Sequence, residues 1–168
     1  MIDSQRYKQA LGAFPTGVTV VTALTDEGQM VGFTASAFSA VSMDPALVLV
    51  CPSLTSVSYP VIQQCKRFTI HILSDEQQAI AYQFASKDPN KSAGVKWHRS
   101  AHGNALIDGA SAYLECSLWN EYPGGDHAIL VGEVQNIWID ESAANPLLYC
   151  RGKMDQLPEN LRLMTAAV

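Results

Sequence analysis

The stretch from Ala110 to Asp140 limits the possible folds more than any other part of the chain. Ala112, Leu114, Cys116 and Leu118 recur at a period of two and so share one face of a strand. Pro123-Gly-Gly-Asp126 is turn-forming, and His127 to Asp140 returns as a second extended arm. Two long arms joined by a tight turn pair antiparallel, because parallel neighbours need a crossover connection. The same grammar recurs upstream. Gly17-Val-Thr-Val-Val-Thr-Ala-Leu-Thr25 is rich in β-branched residues, Asp26 to Gln29 is a turn, and Met30 to Ala35 is the returning arm. Further strands are expected at 46–51, Arg67 to Leu73 and Pro146 to Cys150. Helices are expected at 3–14, at 56–65 with Pro60 in its first turn, and from a Ser74-Asp-Glu-Gln77 capping box through Ala85. Ser86 to Asn104 reads as a loop. Hairpin-linked strands with a few helices as covers predict a mainly β, antiparallel barrel rather than a parallel α/β sheet.

A single domain accounts for the 168 residues, with no linker or internal repeat. At 48% hydrophobic and 16% charged, the chain can bury a core, which sets disorder aside. Its apolar residues fall in short runs, none near the roughly 18 that a membrane helix needs. The N-terminus lacks the basic-then-apolar layout of a secretory signal. A net charge of -5 argues against broad nucleic-acid binding. Cys51, Cys65, Cys116 and Cys150 show no CxxC spacing and read as reduced thiols of a cytoplasmic protein. His98 and His102 lack the companion ligands of a metal site.

Candidate chemistry concentrates in separate places. Gly32 to Pro45 interleaves the hydroxyls of Thr34, Ser36, Ser39 and Ser42 with small alanines. That suits either a serine-rich turn or a wall that a flat ligand can approach. Ser53, Thr55, Ser56 and Ser58 fall between a strand and a helix, where they could hold an anion with free helix N–H groups or simply cap the helix. Lys87, Lys91, Lys96 and Arg99 make the 86–104 loop locally basic, either to meet phosphates or as a solvated surface. His127 follows a Gly-Gly-Asp turn at the mouth of the long hairpin, where a residue that is neither small nor turn-forming raises a functional question. The chain has no G-x-S-x-G elbow, no activated cysteine, no paired catalytic carboxylates and no GxGxxG. Binding groups without an acid, base or nucleophile fit a protein whose bound cofactor carries the reaction.

Five segments occur in one telling order. They are Phe14-Pro-Thr-Gly-Val-Thr-Val-Val-Thr22, Thr34-Ala-Ser-Ala-Phe-Ser-Ala-Val-Ser-Met-Asp-Pro45, Phe68 to Leu73, Gly125-Asp-His127 with Val131-Gly-Glu-Val134, and Pro146-Leu-Leu-Tyr149. Together they resemble the flavin reductase-like family of FMN-binding split barrels over residues 5 to 155, and most closely its short-chain NAD(P)H:flavin reductases that serve two-component monooxygenases. The resemblance implies a homodimeric split β-barrel with a Greek-key core and a few covering helices. It implies one such domain over 1–168, with 156–168 as a C-terminal tail. FMN or FAD would lie along Thr34, Ala35, Ser36 and Ala37, with Cys51, Ser53 and Ser56 at the ribityl-phosphate end and Phe84 near the ring. The loop after Phe84 would lie near the adenosine tail of FAD. His127 would meet NADH or NADPH, Thr16 and Gly17 would line the same cavity, and no side chain would itself be catalytic. Reduced flavin would pass to a partner monooxygenase. The same cavity leaves open a flavin- or haem-binding barrel without turnover. A pyridoxamine-phosphate oxidase type shares the barrel but needs a basic cluster by the flavin, and only the 86–104 loop offers one.

Overall fold

Residues 2–142 and 145–162 are described in a computed structural model. Helix α1 (Ser4–Gly12) is capped by Asp3, whose carboxylate accepts a hydrogen bond from the Arg6 N–H at 2.8 Å. A short β1 (Thr16–Gly17) leads into the hairpin β2 (Thr19–Leu24) and β3 (Met30–Ala35). A second hairpin follows at once as β4 (Phe38–Met43) and β5 (Ala46–Val50). Helix α2 (Ser58–Cys65) ends at Lys66, whose left-handed backbone turns the chain into β6 (Arg67–Ile72). The capping box at Ser74 and Gln77 is present and opens the way to α3 (Gln78–Ala85). The small pair β7 (Trp97–Arg99) and β8 (Ala105–Ile107) precedes the long hairpin of β9 (Ala112–Gly124) and β10 (His127–Ile139). Last come β11 (Leu148–Cys150) and β12 (Lys153–Asp155), with β11 also pairing to β1.

The main sheet runs β3-β2-β6-β9-β10-β5-β4 with every pair antiparallel. Its connectivity forces it to close. Six interstrand spacings would set the edges ~29 Å apart in a flat sheet. Yet β3 and β4, the two edges, are joined only by Ser36 and Ala37. Three residue steps reach at most about 11 Å, so the sheet curls until its edges meet. The interior confirms the closure. Phe33 and Ala35 from one edge share a core with Val48 and Val50 near the other, together with Phe68, Ile70, Leu130 and Ile62 of α2. Alternate residues, among them Val18, Val20, Leu24 and Met30, point outward into a second core covered by Phe84 and Ala81 of α3 and by β8.

Sequence periodicity misplaces some elements. Residues 36–45 read as a turn but contain β4, an edge strand whose side chains are mostly exposed and so carry no apolar alternation. The expected loop 86–104 contains β7, three residues long and too short for a period to register. Pro123 and Gly124 belong to the hairpin ladder, opposite Ala128 and His127, so the turn is tighter than its residue types suggest. The helix expected over 3–14 ends at Gly12, which leaves Phe14 beyond it, and the apolar side chains of Tyr7, Leu11 and Phe14 are all exposed.

A buried polar layer fastens β8 to the barrel's outer face. His71 is fully buried; its Nδ1–H donates to the Val20 carbonyl and its Nε2 accepts from the Ile107 N–H, both at 3.0 Å. Thr22 Oγ1 donates to the Ala105 carbonyl at 3.0 Å. Glu115, also buried, accepts from Ser100 at 2.5 Å, Asn104 at 2.8 Å and Asn136 at 2.9 Å. Burial alone would raise the Glu115 pKa, but those three donors and nearby His102 outweigh it and hold the carboxyl below its ordinary value. Burial lowers the His71 pKa to about 4, against the pull of the Val20 carbonyl and the Glu115 charge. An unfolded histidine titrates near 6.5. Stability from His71 is therefore complete above that pH and is lost as the pH falls toward about 4, because the unfolded chain takes up a proton that the folded chain refuses. Urea unfolding at about pH 7.5 and about pH 5 should differ by about 2 kcal/mol. His71→Gln, though weaker at both, should flatten most of that slope; an unchanged slope would assign it to other groups.

Candidate functional site

Strand register decides which distant residues meet. Thr19 opposes Ala35, Phe38 and Leu130 both oppose Val50, and Ser53 forms an antiparallel bridge with His127. Thr16–Gly17, Ala35–Ala37, Cys51–Ser56 and His127 therefore gather at one end of the barrel, where the two sheet edges meet. Segment 52–58 is locked to the long hairpin: Leu54 N–H donates to the Asp126 carbonyl and Ala128 N–H to the Pro52 carbonyl, each at 3.0 Å. Within it the Ser53 and Thr55 hydroxyls lie 2.9 Å apart, and Ser58 N–H donates to Ser56 Oγ at 3.3 Å. The residue before α2 is Val57, which brings no side-chain cap, and Ser58 Oγ is fully buried with no hydrogen-bond partner among the described residues. An orphaned hydroxyl at a helix start, flanked by further hydroxyls, suits an anion.

His127 is half-buried, and its Nδ1–H donates to Asp126 Oδ1 at 2.8 Å. That hydrogen bond, and then the charge of the ring, hold the Asp126 carboxyl below its ordinary value. With Nδ1 committed, Nε2 is the nitrogen left for a ligand. Burial pushes the Cys51 thiol up, which keeps it protonated and unreactive.

The other expected site residues divide. Ser36 and Ala37 are exposed in the link between the edges. Thr34 Oγ1 donates to the Ala81 carbonyl at 2.6 Å, and the Ala35 carbonyl accepts from Thr19 Oγ1 at 2.7 Å with the Ala35 methyl in the core. Thr34 and Ala35 can therefore offer a ligand backbone groups rather than side chains. Phe84 needs correction: it is fully buried and packs on Gly32, where an added Cβ would lie 2.7 Å from its ring. It supports β3 from behind and has no surface to offer a flavin. Thr16 Oγ1 is a buried atom without a partner among the described residues, and beside it Gly17 has open space around its Cα. Two cations of the basic loop point elsewhere: Lys91 Nζ donates to the Phe84 carbonyl at 2.9 Å, and the Arg99 guanidinium lies by Gly28, in the β2–β3 turn. Clefts at Leu24–Glu27 with Val61, Gln64 and Cys65, and at Ile137–Ser142, also lie away from the gathered residues.

Sequence reasoning missed a trio behind the serine turn. The Tyr59 hydroxyl donates to Glu121, and Gln63 Nε2 donates to Tyr59 Oη at 3.0 Å and to Glu121 Oε1 at 3.1 Å. The hydrogen bond to Glu121, with burial and the carboxylate charge behind it, raises the Tyr59 pKa. Tyr59 N–H also donates to the Ser56 carbonyl at 3.2 Å, so the trio braces the turn against β9. Tyr59-x-x-x-Gln63 was a legible one-turn pair; its partner 62 residues on was not.

Residues 11–158 match the flavin reductase like domain. The chain belongs to that family. The reductase subunit HsaB of the Rhodococcus jostii flavin-dependent monooxygenase is 40% identical over 152 residues, covering 90% of this flavin reductase-like chain and 77% of its own length. Nitrilotriacetate monooxygenase component B, a homologue from Mycobacterium thermoresistibile, superposes with a TM-score of 0.90 at 36% identity, over 95% of this chain and 89% of that one. The Streptomyces globisporus NADH:FAD oxidoreductase SgcE6, solved with NAD and FAD fragments, gives 0.87 at 32% identity over 96% and 98% of the two chains. The residues present fit a flavin: the orphaned Ser58 hydroxyl and the serine turn suit its phosphate, and the small exposed side chain of Ala37 leaves room for a flat ring.

Proposed function

We propose that the protein is an NAD(P)H-dependent flavin reductase that transfers hydride from a nicotinamide nucleotide to FMN or FAD and passes reduced flavin to a partner monooxygenase. The bridge between Ser53 and His127 carries this reading, because it sets a phosphate-suited turn beside the histidine expected to meet the nucleotide. Bound flavin supplies the hydride-accepting ring. The protein supplies alignment, which can account for most of the barrier reduction in a bimolecular transfer. Ser53, Ser56 and Ser58 hold the phosphate end, with Cys51 contributing backbone. Ser36, Ala37 and the backbone of 34–35 form the ring wall. His127, oriented by Asp126, grips the nucleotide through Nε2, and Thr16 and Gly17 line the space beside the wall. The same chain is proposed to work as a cytoplasmic homodimer, since Tyr7, Leu11, Phe14, Met43, Trp119 and Ile139 leave large apolar surfaces exposed on one copy.

Anaerobic mixing with flavin and NADH or NADPH should bleach the flavin's visible band. Spectral change without nucleotide oxidation would mark a binder instead, and no bleaching with either nucleotide would sink the proposal. His127→Ala should raise the nucleotide KM about tenfold, as expected for a lost ~1.4 kcal/mol contact, while flavin affinity moves much less. Sedimentation should return twice 18.2 kDa; the monomer mass would remove the dimer.

A further inference from the structure

We infer that Tyr59, Gln63 and Glu121 are positioning residues for the flavin phosphate, fixing the first turn of α2 so that the 53–58 hydroxyls stand ready for it. This inference rests on the reductase reading above and deepens it. The serine turn is held unevenly. Its first half is stitched to the long hairpin by backbone, through the Ser53–His127 bridge, Leu54 N–H to the Asp126 carbonyl and Ala128 N–H to the Pro52 carbonyl. From Thr55 to Ser58 the described backbone donors are satisfied within the segment: Thr55 N–H by Ser53 Oγ, Ser56 N–H by the Ser53 carbonyl and Ser58 N–H by Ser56 Oγ. That half carries the Ser56 and Ser58 hydroxyls, and it takes its position from α2. The helix is anchored at Ile62, fully buried in the barrel core, and just past its C-terminal end, where the Leu118 N–H of β9 donates to the Lys66 carbonyl at 2.8 Å. Its first turn is held through Tyr59. The ring packs against the core, the N–H donates to the Ser56 carbonyl at 3.2 Å, and the hydroxyl donates to Glu121, farther along β9. Gln63, one turn on, donates to Tyr59 Oη at 3.0 Å and to the two Glu121 oxygens at 3.1 and 3.2 Å.

Among the described residues no lysine or arginine forms an ion pair with Glu121. A half-buried carboxylate without a cation is a poor stabiliser in its own right. Its oxygens are met instead by two side chains from one face of α2, which makes it a fixed point for the start of that helix. A hydrogen bond to a charged acceptor is stronger than a neutral one. That bond, with burial and the carboxylate charge behind it, raises the Tyr59 pKa, so the hydroxyl keeps its proton and remains a donor. Holding the turn in its bound form before the ligand arrives removes an ordering cost from binding. The benefit falls on the phosphate end. The ring wall is fastened separately, with Thr34 Oγ1 tied to the Ala81 carbonyl and the Ala35 carbonyl to Thr19 Oγ1.

The test uses the full chain and compares the Kd of FMN with that of riboflavin, which shares the ring and lacks the phosphate. The parent should bind FMN at least about tenfold more tightly. Tyr59→Phe keeps the packed ring and loses the hydroxyl; it should weaken FMN by about tenfold and riboflavin by less than about twofold. The FMN KM should rise with the Kd while kcat at saturating flavin holds, a split that a loosened fold would not give. Glu121→Gln keeps an acceptor for the Tyr59 hydroxyl and should bind FMN within about threefold of the parent. Glu121→Ala should match Tyr59→Phe, and the two together should lose little more than either alone. Parent-like FMN affinity in Tyr59→Phe, or equal losses for FMN and riboflavin, overturns the inference and leaves the reductase reading standing. A parent that binds FMN no more tightly than riboflavin overturns the inference together with the placement of the phosphate on this turn. Failure to oxidise either nucleotide overturns the reductase reading alone, since the binding constants still decide the role of the three residues.

Discussion

Gly132→Ala is expected to cost about 3 kcal/mol and to lower the Tm by roughly 10 °C, for the addition of one methyl group. Gly132 lies on β10 between Leu118 of β9 and Val48 of β5, next to a register shift in the β9–β10 ladder. A Cβ there would fall 2.5 Å from Phe68 Cζ and 2.9 Å from Cys116 Cβ. Neither neighbour can retreat, since both are in the interior and Phe68 is fully buried. Gly17→Ala is the matched control: its Cβ would meet nothing within 4 Å, and the Tm should hold. Phe68→Leu introduced beside Gly132→Ala should recover part of the loss, a non-additivity expected of residues in contact. If thermal melts show Gly132→Ala to be neutral, the barrel interior is looser than described and its closure around Phe68 must be reconsidered.

The parts of the fold that were legible are those where burial imposes a period. β6 and the first arm of the long hairpin alternate apolar residues toward a closed core, while β2 and β5 read as short aliphatic and β-branched runs bounded by turns. β4 pairs on one side only and leaves Ser39, Ala40 and Val41 exposed, so nothing in its composition separates a strand from a serine-rich turn. His71 and Thr22 reach out from β6 and β2 to hold β8, Glu115 of β9 holds Ser100 and Asn104 in the turn before it, and β7 pairs with β8. No local pattern at 86–104 could report that. Glu115 itself reads as an ordinary strand residue until its three donors, drawn from positions 100, 104 and 136, are brought together by the fold.

The candidate site divides along the same line. His127 was legible because a histidine at a hairpin mouth is locally anomalous, and the 53–58 hydroxyls because they precede a helix. That the two are neighbours is a fact of pairing, carried by a single backbone bridge. Phe84 shows the opposite case: an aromatic residue that the family resemblance sets near the flavin is fully buried in the scaffold, filling the space that Gly32 leaves. Thr34 is similar, its hydroxyl spent on α3 rather than offered to a ligand.

Ala37→Trp is expected to weaken flavin binding by at least about 100-fold, equivalent to roughly 3 kcal/mol, while leaving the Tm within about 2 °C of the parent. Ala37 is exposed in the two-residue link, so an indole there meets solvent in the free protein and disturbs no core contact. It would, however, occupy the space proposed for the flavin ring. Ala35 would not give a clean test, because it is 7% exposed and packs with the barrel interior, where a larger side chain would damage fold and site together. Ala37→Ser adds one polar atom and little volume, and should bind flavin nearly as the parent does. Flavin titration by fluorescence quenching, with melts in parallel, separates the outcomes. Parent-like flavin affinity in Ala37→Trp would mean that the ring does not lie along Ser36 and Ala37. The meeting of the two sheet edges would then be a seam in the barrel and not the wall of its site.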